Sequence, residues 1–306
     1  MAKIDVLIIA QDDWGNVGWA FEQSLLRAGV AAKAVKLNPH VFEYPKQAQI
    51  VTVEDIVKLA GDAKGLLFMH GRVACSDIPR ASKFCAVFHG GPAYRNNANA
   101  FNAVFDPMVE RTLVAQAEML YLGGKGATWI IPPVDTDAIE SADFSLKGQI
   151  TFAHFPRGEG KGSTTINDVM AAIERDESMA GKLEYLYETS QCSWEENLVR
   201  MARHDVYIEA LVPGNDWRTT ALEAAALGRI VMANHATKEL YEEAYGPCPI
   251  IAVNSTDELE YEVRRLCRLN KLTVRKLHRD TRKWVEAKHG FEHTGEQLRK
   301  VFSPCL

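Results

Sequence analysis

The sequence lacks the cysteine spacing of a metal or disulfide framework. Its six cysteines, Cys75, Cys85, Cys192, Cys248, Cys267 and Cys305, are scattered with no CxxC pair, so they read as reduced, mostly buried thiols of an intracellular protein. Long apolar runs are missing too. The first one, in MAKIDVLIIAQDDWG, meets Asp12 and Asp13 too soon for a signal peptide or a membrane span, and a cytoplasmic location is the expectation. Positive charge is not in excess: 35 Lys and Arg stand against 40 Asp and Glu, a formal net charge of -5. That balance argues against a strongly basic nucleic-acid protein while leaving a local basic patch open, because patches rather than totals set binding. There is no GxSxG elbow for serine hydrolysis and no histidine cluster for a metal. The loop after the first apolar run lacks the full GxGxxG fingerprint, and Lys161 is followed by Gly162 rather than the Ser or Thr of a Walker A loop. Neither fixed-period repeats nor low-complexity segments are found.

Against these absences stands an alternation of strand and helix signals over 306 residues, a length sufficient for two ordinary domains. Buried-strand runs cover 4–10, 34–37, 65–69 and 84–89, with helices between 19 and 29 and over 53–60. A polar, Asn-rich stretch, PAYRNNANAF, leads into short strand-like runs ending near Asp135, and TDAIESADFSLKG reads as a surface connection. The pattern then restarts: strands over 150–155, 183–187 and 249–253, helices over 163–175 and 194–203, and a helical remainder from Thr256. Alternation of this kind predicts parallel sheets covered on both faces by helices. The fold class expected is α/β, two Rossmann-like doubly wound domains facing across a cleft. Their boundaries fall at 1–145 and 146–287, with a terminal helix at about 288–306 packing back on the first.

The segment DVYIEALVPGNDWRTTALEAAALGRIVMAN, 205–234, reads as one βαβ unit: a buried strand, a Gly/Asn/Asp loop, an Ala-rich helix closed by Gly228, and a second buried strand. Its helix carries a carboxylate, Glu223, which no helix needs in order to fold. After a polar loop at the carboxyl end of a strand, such a carboxylate is placed to hold the hydroxyls of a sugar or ribose. Earlier in the same half, Arg157-Gly158-Glu159-Gly160-Lys161-Gly162-Ser163-Thr164 joins a strand to a helix. It reads either as a solvated turn capped by Ser163 or as a phosphate cradle, with glycines for close backbone approach, two cations, and a helix start with free N–H groups. Glu223 in the same half favours the cradle. In the first half, Gly15 and Gly18 lie in a strand-to-helix loop and either form a tight turn or let a ligand approach. His89 ends a strand before Gly90-Gly91-Pro92, facing the crevice where open α/β sheets bind ligands, or is a structural histidine. His70 is a weaker candidate of the same kind. Asp135-Thr136-Asp137 is a DxD best explained as turn and cap residues. The basic C-terminal helices, with Arg275, Lys276, Arg279, Arg282 and Lys283, read as a solvated face, a phosphate-backbone contact being the alternative.

Arg157, Lys161-Gly162 and the block Leu222-Glu223-Ala224-Ala225-Ala226-Leu227-Gly228-Arg229-Ile230-Val231 resemble the donor half of retaining GT-B glycosyltransferases, whose pattern runs GR…KG, then E-x7-E ending in LEAMAxGxPV. The resemblance covers most of the chain in order. It implies a sugar transferred from a nucleotide-diphosphate sugar to an acceptor hydroxyl, metal-independent and with no cofactor beyond the donor. It further implies Arg157 and Lys161 on the diphosphate, Glu223 on the ribose, and a donor-binding set of Gly15, Gly18, Arg157, Lys161, Gly162, Asn215, Asp216, Thr220 and Glu223. His89, Arg157 and Lys161 are the catalytic candidates. The acceptor, a glycan, a small molecule or a modified DNA base, would enter from the first domain near 15–18, His89 and 94–99. The sequence departs from the family pattern at Asn215, which replaces the first Glu of E-x7-E, and in an Arg-to-Lys spacing one residue short. An epimerase of the same architecture and a non-catalytic sugar-nucleotide-binding protein are the alternatives.

Overall fold

The computed structural model describes residues 3–70, 78–142, 148–156, 160–212 and 215–306. The chain divides into two compact units, Met1–Asp135 together with His289–Leu306, and Thr136–Lys288.

The first unit opens on β1 (Val6–Ala10), all five residues of which are buried, as expected of a strand covered on both faces. It continues through α1 (Val17–Arg27), β2 (Ala32–Lys36), β3 (Gln49–Ile50), α2 (Val53–Asp62), β4 (Gly65–Met69), β5 (Phe84–His89), α3 (Pro92–Phe105), β6 (Arg111–Val114) and β7 (Thr128–Trp129). The seven strands run in the order β3-β2-β1-β4-β5-β6-β7, and each pairing is parallel. The polar, Asn-rich stretch after His89 is a helix, and the strand-like runs expected after it include β6 and β7. Pro92 stands in the first turn of that helix, and its buried Tyr94 and Phe105 supply the packing that its asparagines' weak propensity does not. Tyr94 Oη donates to Asn102 Oδ1 (2.9 Å), and Asn102 Nδ2 donates to the Leu122 carbonyl (2.8 Å), fixing that helix to the loop beyond β6.

The second unit runs through β8 (Ile150–His154), α4 (Ser163–Glu174), β9 (Leu183–Tyr187), α5 (Trp194–Ala202), β10 (Val206–Ile208), α6 (Thr219–Ala226), β11 (Ile230–Ala233), α7 (Lys238–Tyr245), β12 (Ile251–Ala252), α8 (Thr256–Leu266) and α9 (Lys271–His289). Its five strands lie in the order β12-β11-β10-β8-β9, again all parallel. Residues 136–142, the start of the expected surface connection, are bound into this unit. Ala142 N–H donates to the Leu227 carbonyl (3.1 Å), and Arg229 and Arg282 donate to the carbonyls of Ala142 (2.6 Å), Ile139 (2.7 Å) and Thr136 (2.8 Å).

The last helix, α10 (Phe291–Phe302), belongs to the first unit. Its Leu298 and Phe302 lie in the core beneath β1 and α1. At Gly295 a Cβ would run into the Ser24 carbonyl of α1, so the two helices approach at van der Waals distance only because that residue is glycine. Among the described residues no helix is long and apolar enough to cross a membrane.

Candidate functional site

In the second unit the chain leaves β8 for β9 on one side and returns to β10 on the other. The carboxyl ends of β8 and β10 therefore flank the point where the strand order reverses, where open α/β sheets leave a crevice for ligands. Two polar residues stand there, both buried: His154 at the end of β8 and Glu209 just after β10. The Ile208 carbonyl can only accept, so His154 Nδ1 carries the ring proton and donates to it (2.8 Å). His154 Nε2 then accepts from Ser163 Oγ (2.9 Å) at the start of α4. Burial lowers this imidazole to about 4, the bond to Ile208 opposing and Lys161 adding to the shift. It is thus a neutral bolt joining β8, β10 and the first residue of α4.

The loop from β8 to α4 contains the predicted cradle. Arg157 lies outside the described residues. Gly162 is the N-cap of α4 at φ 69°, and a Cβ there would collide with the Leu211 carbonyl oxygen. The neighbouring strand end is drawn in further by a hydrogen bond from Leu211 N–H to the Lys161 carbonyl (2.9 Å). A glycine N-cap has no side chain to close the helix, so the first N–H groups of this 12-residue helix keep the positive end of its dipole open. They border a cavity of about 530 Å³ lined by Pro156, residues 160–165, Tyr187, Thr189, Ser190 and Gln191, a size suited to a small molecule. Arg200 supports the far wall: its guanidinium stacks on Phe155 (4.5 Å to the ring centre), and Nη1 donates to the Ser190 carbonyl (3.2 Å).

Lys161 extends from this loop to an ion pair with Glu209. Burial holds its amine well below the ordinary lysine range, Arg218 pushes the same way, and Glu223 opposes. Those influences place Lys161, Arg218 and Glu223 in one electrostatic neighbourhood, with Arg218 the N-cap of α6. Glu223, on the buried side of α6, accepts from the Trp194 indole N–H at Oε1 (2.7 Å). Of the predicted set, Lys161 and Gly162 line the cavity, while Glu223 and Thr220, the latter half-buried in the first turn of α6, stand outside its lining. Asn215 is tied through its backbone to Val212 and Ala236. Asp216 is turned inward. Its carboxylate accepts from Thr237 N–H (3.0 Å), from the Thr237 hydroxyl and from His235 Nδ1 (3.2 Å), which makes it a fastener between the α6 loop and the segment after β11.

Three predicted residues lie in the first unit, and each has an internal explanation. Gly18 N–H and Trp19 N–H donate to the buried Asp13 carboxylate (2.6 and 3.1 Å), which itself occupies the start of α1. A Cβ on Gly18 would sit 3.0 Å from Asp13 Oδ1, so this glycine makes room for Asp13. Burial raises Asp13 to about 6, against the two N–H bonds and the nearby Lys36. Gly15 has φ 66° and donates its N–H to His40 Nε2 (3.3 Å). His89 is 1% exposed, stacked on Tyr94 at 4.1 Å with Phe101 and Phe105 edge-on. Burial, with His70 adding, lowers it to about 3, so it stays neutral inside an aromatic cage. Neither ring nitrogen of His89 has a hydrogen-bond partner among the described residues.

His154, Glu209 and Arg218 were not among the residues expected from motifs, and Ser163, expected as a cap, instead donates to His154 while Gly162 is the N-cap of α4. A signal existed for His154 and Glu209: ITFAH and DVYIE each end a buried apolar run on a polar residue, and a parallel strand of this class presents its carboxyl end to the crevice.

No protein-family profile matches the chain, and no curated protein matches it in sequence. Solved structures do match in fold. An alpha-glucosyltransferase in complex with UDP-glucose and DNA containing an abasic site superposes with a TM-score of 0.68 at 12% identity, covering 99% of this chain and 100% of that one. HepE of Anabaena in complex with UDP and glucose gives 0.65 at 10% identity, covering 98% and 99%. A glycosyltransferase from Rickettsia africae gives 0.63 at 9% identity, covering 99% and 98%. The two parallel-sheet α/β units of this chain thus have the GT-B fold over nearly the whole length of each relative.

Proposed function

We propose that the chain is a glycosyltransferase that moves a sugar from a nucleotide-diphosphate sugar to an acceptor hydroxyl, without a metal and with retention of anomeric configuration. The reading is carried by one observation. Beyond the carboxyl ends of β8 and β9 in the second unit, an uncapped helix N-terminus, a glycine forced by close backbone approach and a half-buried lysine border one cavity. Anionic groups are what such an arrangement recognises. The α4 N–H groups and Lys161 would take the diphosphate, with Arg157 joining them. An ammonium has three donors, so Lys161 can keep Glu209 on one and offer the others to phosphate oxygens. As the bond from the anomeric carbon to the diphosphate breaks, negative charge grows on the leaving phosphate oxygen; the acceptor oxygen bonds the anomeric carbon and its hydroxyl proton passes to that departing oxygen. Fixed donors at that position stabilise it in the transition state. Glu223, its Oε1 held by Trp194, would accept from the donor ribose, and Thr220 and Asn215 would complete the sugar contacts.

The test is incubation with a panel of nucleotide-diphosphate sugars and no acceptor. Slow release of free nucleotide supports the transferase, interconversion of the sugars supports an epimerase, and binding without either supports a sugar-nucleotide-binding protein. The acceptor screen should span glycans, small hydroxylated molecules and, because one like-folded enzyme is recorded with DNA, duplex DNA bearing a hydroxylated base.

A further inference from the structure

The second unit segregates its charge. Residues 264–288 hold ten basic and two acidic side chains, net +8, while residues 136–263 hold ten basic and 23 acidic, net -13. Solubility asks only for charges of both signs interspersed over a surface, not for such a division. The basic stretch is also directional. The buried face of α9 is Val274, His278, Thr281, Trp284 and Val285. Lys271, Arg275, Lys276, Arg279 and Lys283 are exposed on its other side, within an arc of about 140° and over about 18 Å of helix. The two acids of the stretch are engaged: Asp280 with Lys276 (2.6 Å) and Glu286 with Arg282 (2.6 Å). Arg275, Arg279 and Lys283 have no ion-pair partner among the described residues.

We propose that the exposed face of α9 is a docking surface for a nucleic-acid backbone. A row of guanidinium and ammonium groups along a straight helix recognises a polyanion, and arginine favours phosphate through paired N–H donors. A membrane is the poorer partner. Leu272 is the one large apolar side chain exposed on this helix, and the apolar face that would enter a bilayer is already buried in the unit's own core. Recognition of this type reads phosphates and not sequence, and it is independent of the donor site.

The experiment is binding of a fluorescent random-sequence DNA duplex, about 20 base pairs long, to the full chain at about 50 and 200 mM salt, with phosphatidylserine vesicles as the competing surface. Charge reversal of three solvent-facing residues, Arg275→Glu, Arg279→Glu and Lys283→Glu together, keeps the buried face intact, and an unchanged melting temperature confirms the fold. Duplex affinity should fall at least about tenfold in the triple variant. The slope of log affinity against log salt should flatten by about 3, near 0.9 for each lost phosphate contact. Three results overturn the proposal: no duplex binding by the parent chain at low salt, equal binding by parent and variant, or vesicles bound in preference to duplex.

Discussion

At the scale of single residues, Lys161 is held where its charge is costly and Glu209 is what makes it tolerable. Removing one partner of a buried ion pair leaves the other uncompensated, at about 3–5 kcal/mol, so Lys161→Ala should destabilise the second unit as well as weaken donor binding. Neutralising Glu209 in the same chain separates the two effects. Lys161→Ala with Glu209→Gln should recover most of the stability in urea unfolding yet still bind nucleotide diphosphates about 10–100-fold more weakly in calorimetric titration, the loss expected of a charge-assisted hydrogen bond. Recovery of binding along with stability would remove Lys161 from the donor site. Asp13 makes the opposite kind of prediction, in the first unit. Its folded value of about 6 lies above its ordinary 3.8, so the native state holds the proton more tightly, and this group's contribution to stability falls as pH rises through that window. Between pH 4.5 and 7.5 the parent should lose about 2 kcal/mol relative to Asp13→Asn, by linkage. A difference between the two that does not change with pH would show that Asp13 is ionised throughout.

At the scale of elements, Gly162 and Gly181 share a φ of 69° but differ in surroundings: a Cβ on Gly162 meets the Leu211 carbonyl, while one on Gly181 meets nothing within 4 Å. Gly181→Ala should therefore cost about 1–2 kcal/mol, the left-handed backbone alone. Gly162→Ala should cost more, because α4 or the β10 end must shift, and it alone should impair nucleotide binding. Equal effects in thermal melts would mean that the close approach of these two loops is unimportant. The same loop shows what could be read from sequence. The βαβ unit at 205–234 was legible because apolar strands and an Ala-rich helix closed by Gly228 are local signals, realised as β10, α6 and β11. The partners of the polar residues flanking the crevice were not, since His154 and Glu209, though each closes an apolar run, are joined to Ile208 and Lys161 only by the folded sheet. The helix α3 was hidden for a related reason: Asn-rich composition speaks against a helix locally, and only burial of Tyr94 and Phe105 decides for it. The ties of Asp216 to Thr237 and His235 were not legible, because nothing in its neighbours along the chain points to them.

At the scale of the whole molecule, the first unit is discontinuous: residues 1–135 are completed by α10 from the far end of the chain. The terminal helix lies in the main core of that unit, with Leu298 and Phe302 at 0% exposure and Gly295 seated on the Ser24 carbonyl. The joint is hydrogen-bonded as well, through Val134 N–H to the His289 carbonyl (2.9 Å). Emptying one large buried side-chain site costs about 2–5 kcal/mol, and deleting the helix empties several at once, while a whole domain is stable by about 5–15 kcal/mol. A chain ending after Lys288 should therefore lose the first unit altogether. The second unit has its own core, from Ile150 and Phe152 to Val274, and should stay folded. Hydrogen exchange resolves the two cases: in the truncated chain the amides of β1, β2 and β4 should exchange at unprotected rates while those of β8 and β10 keep their protection. Continued protection of β1 would show that the first sheet holds without its closing helix. Loss of protection in β8 and β10 as well would show that the two units fold as one.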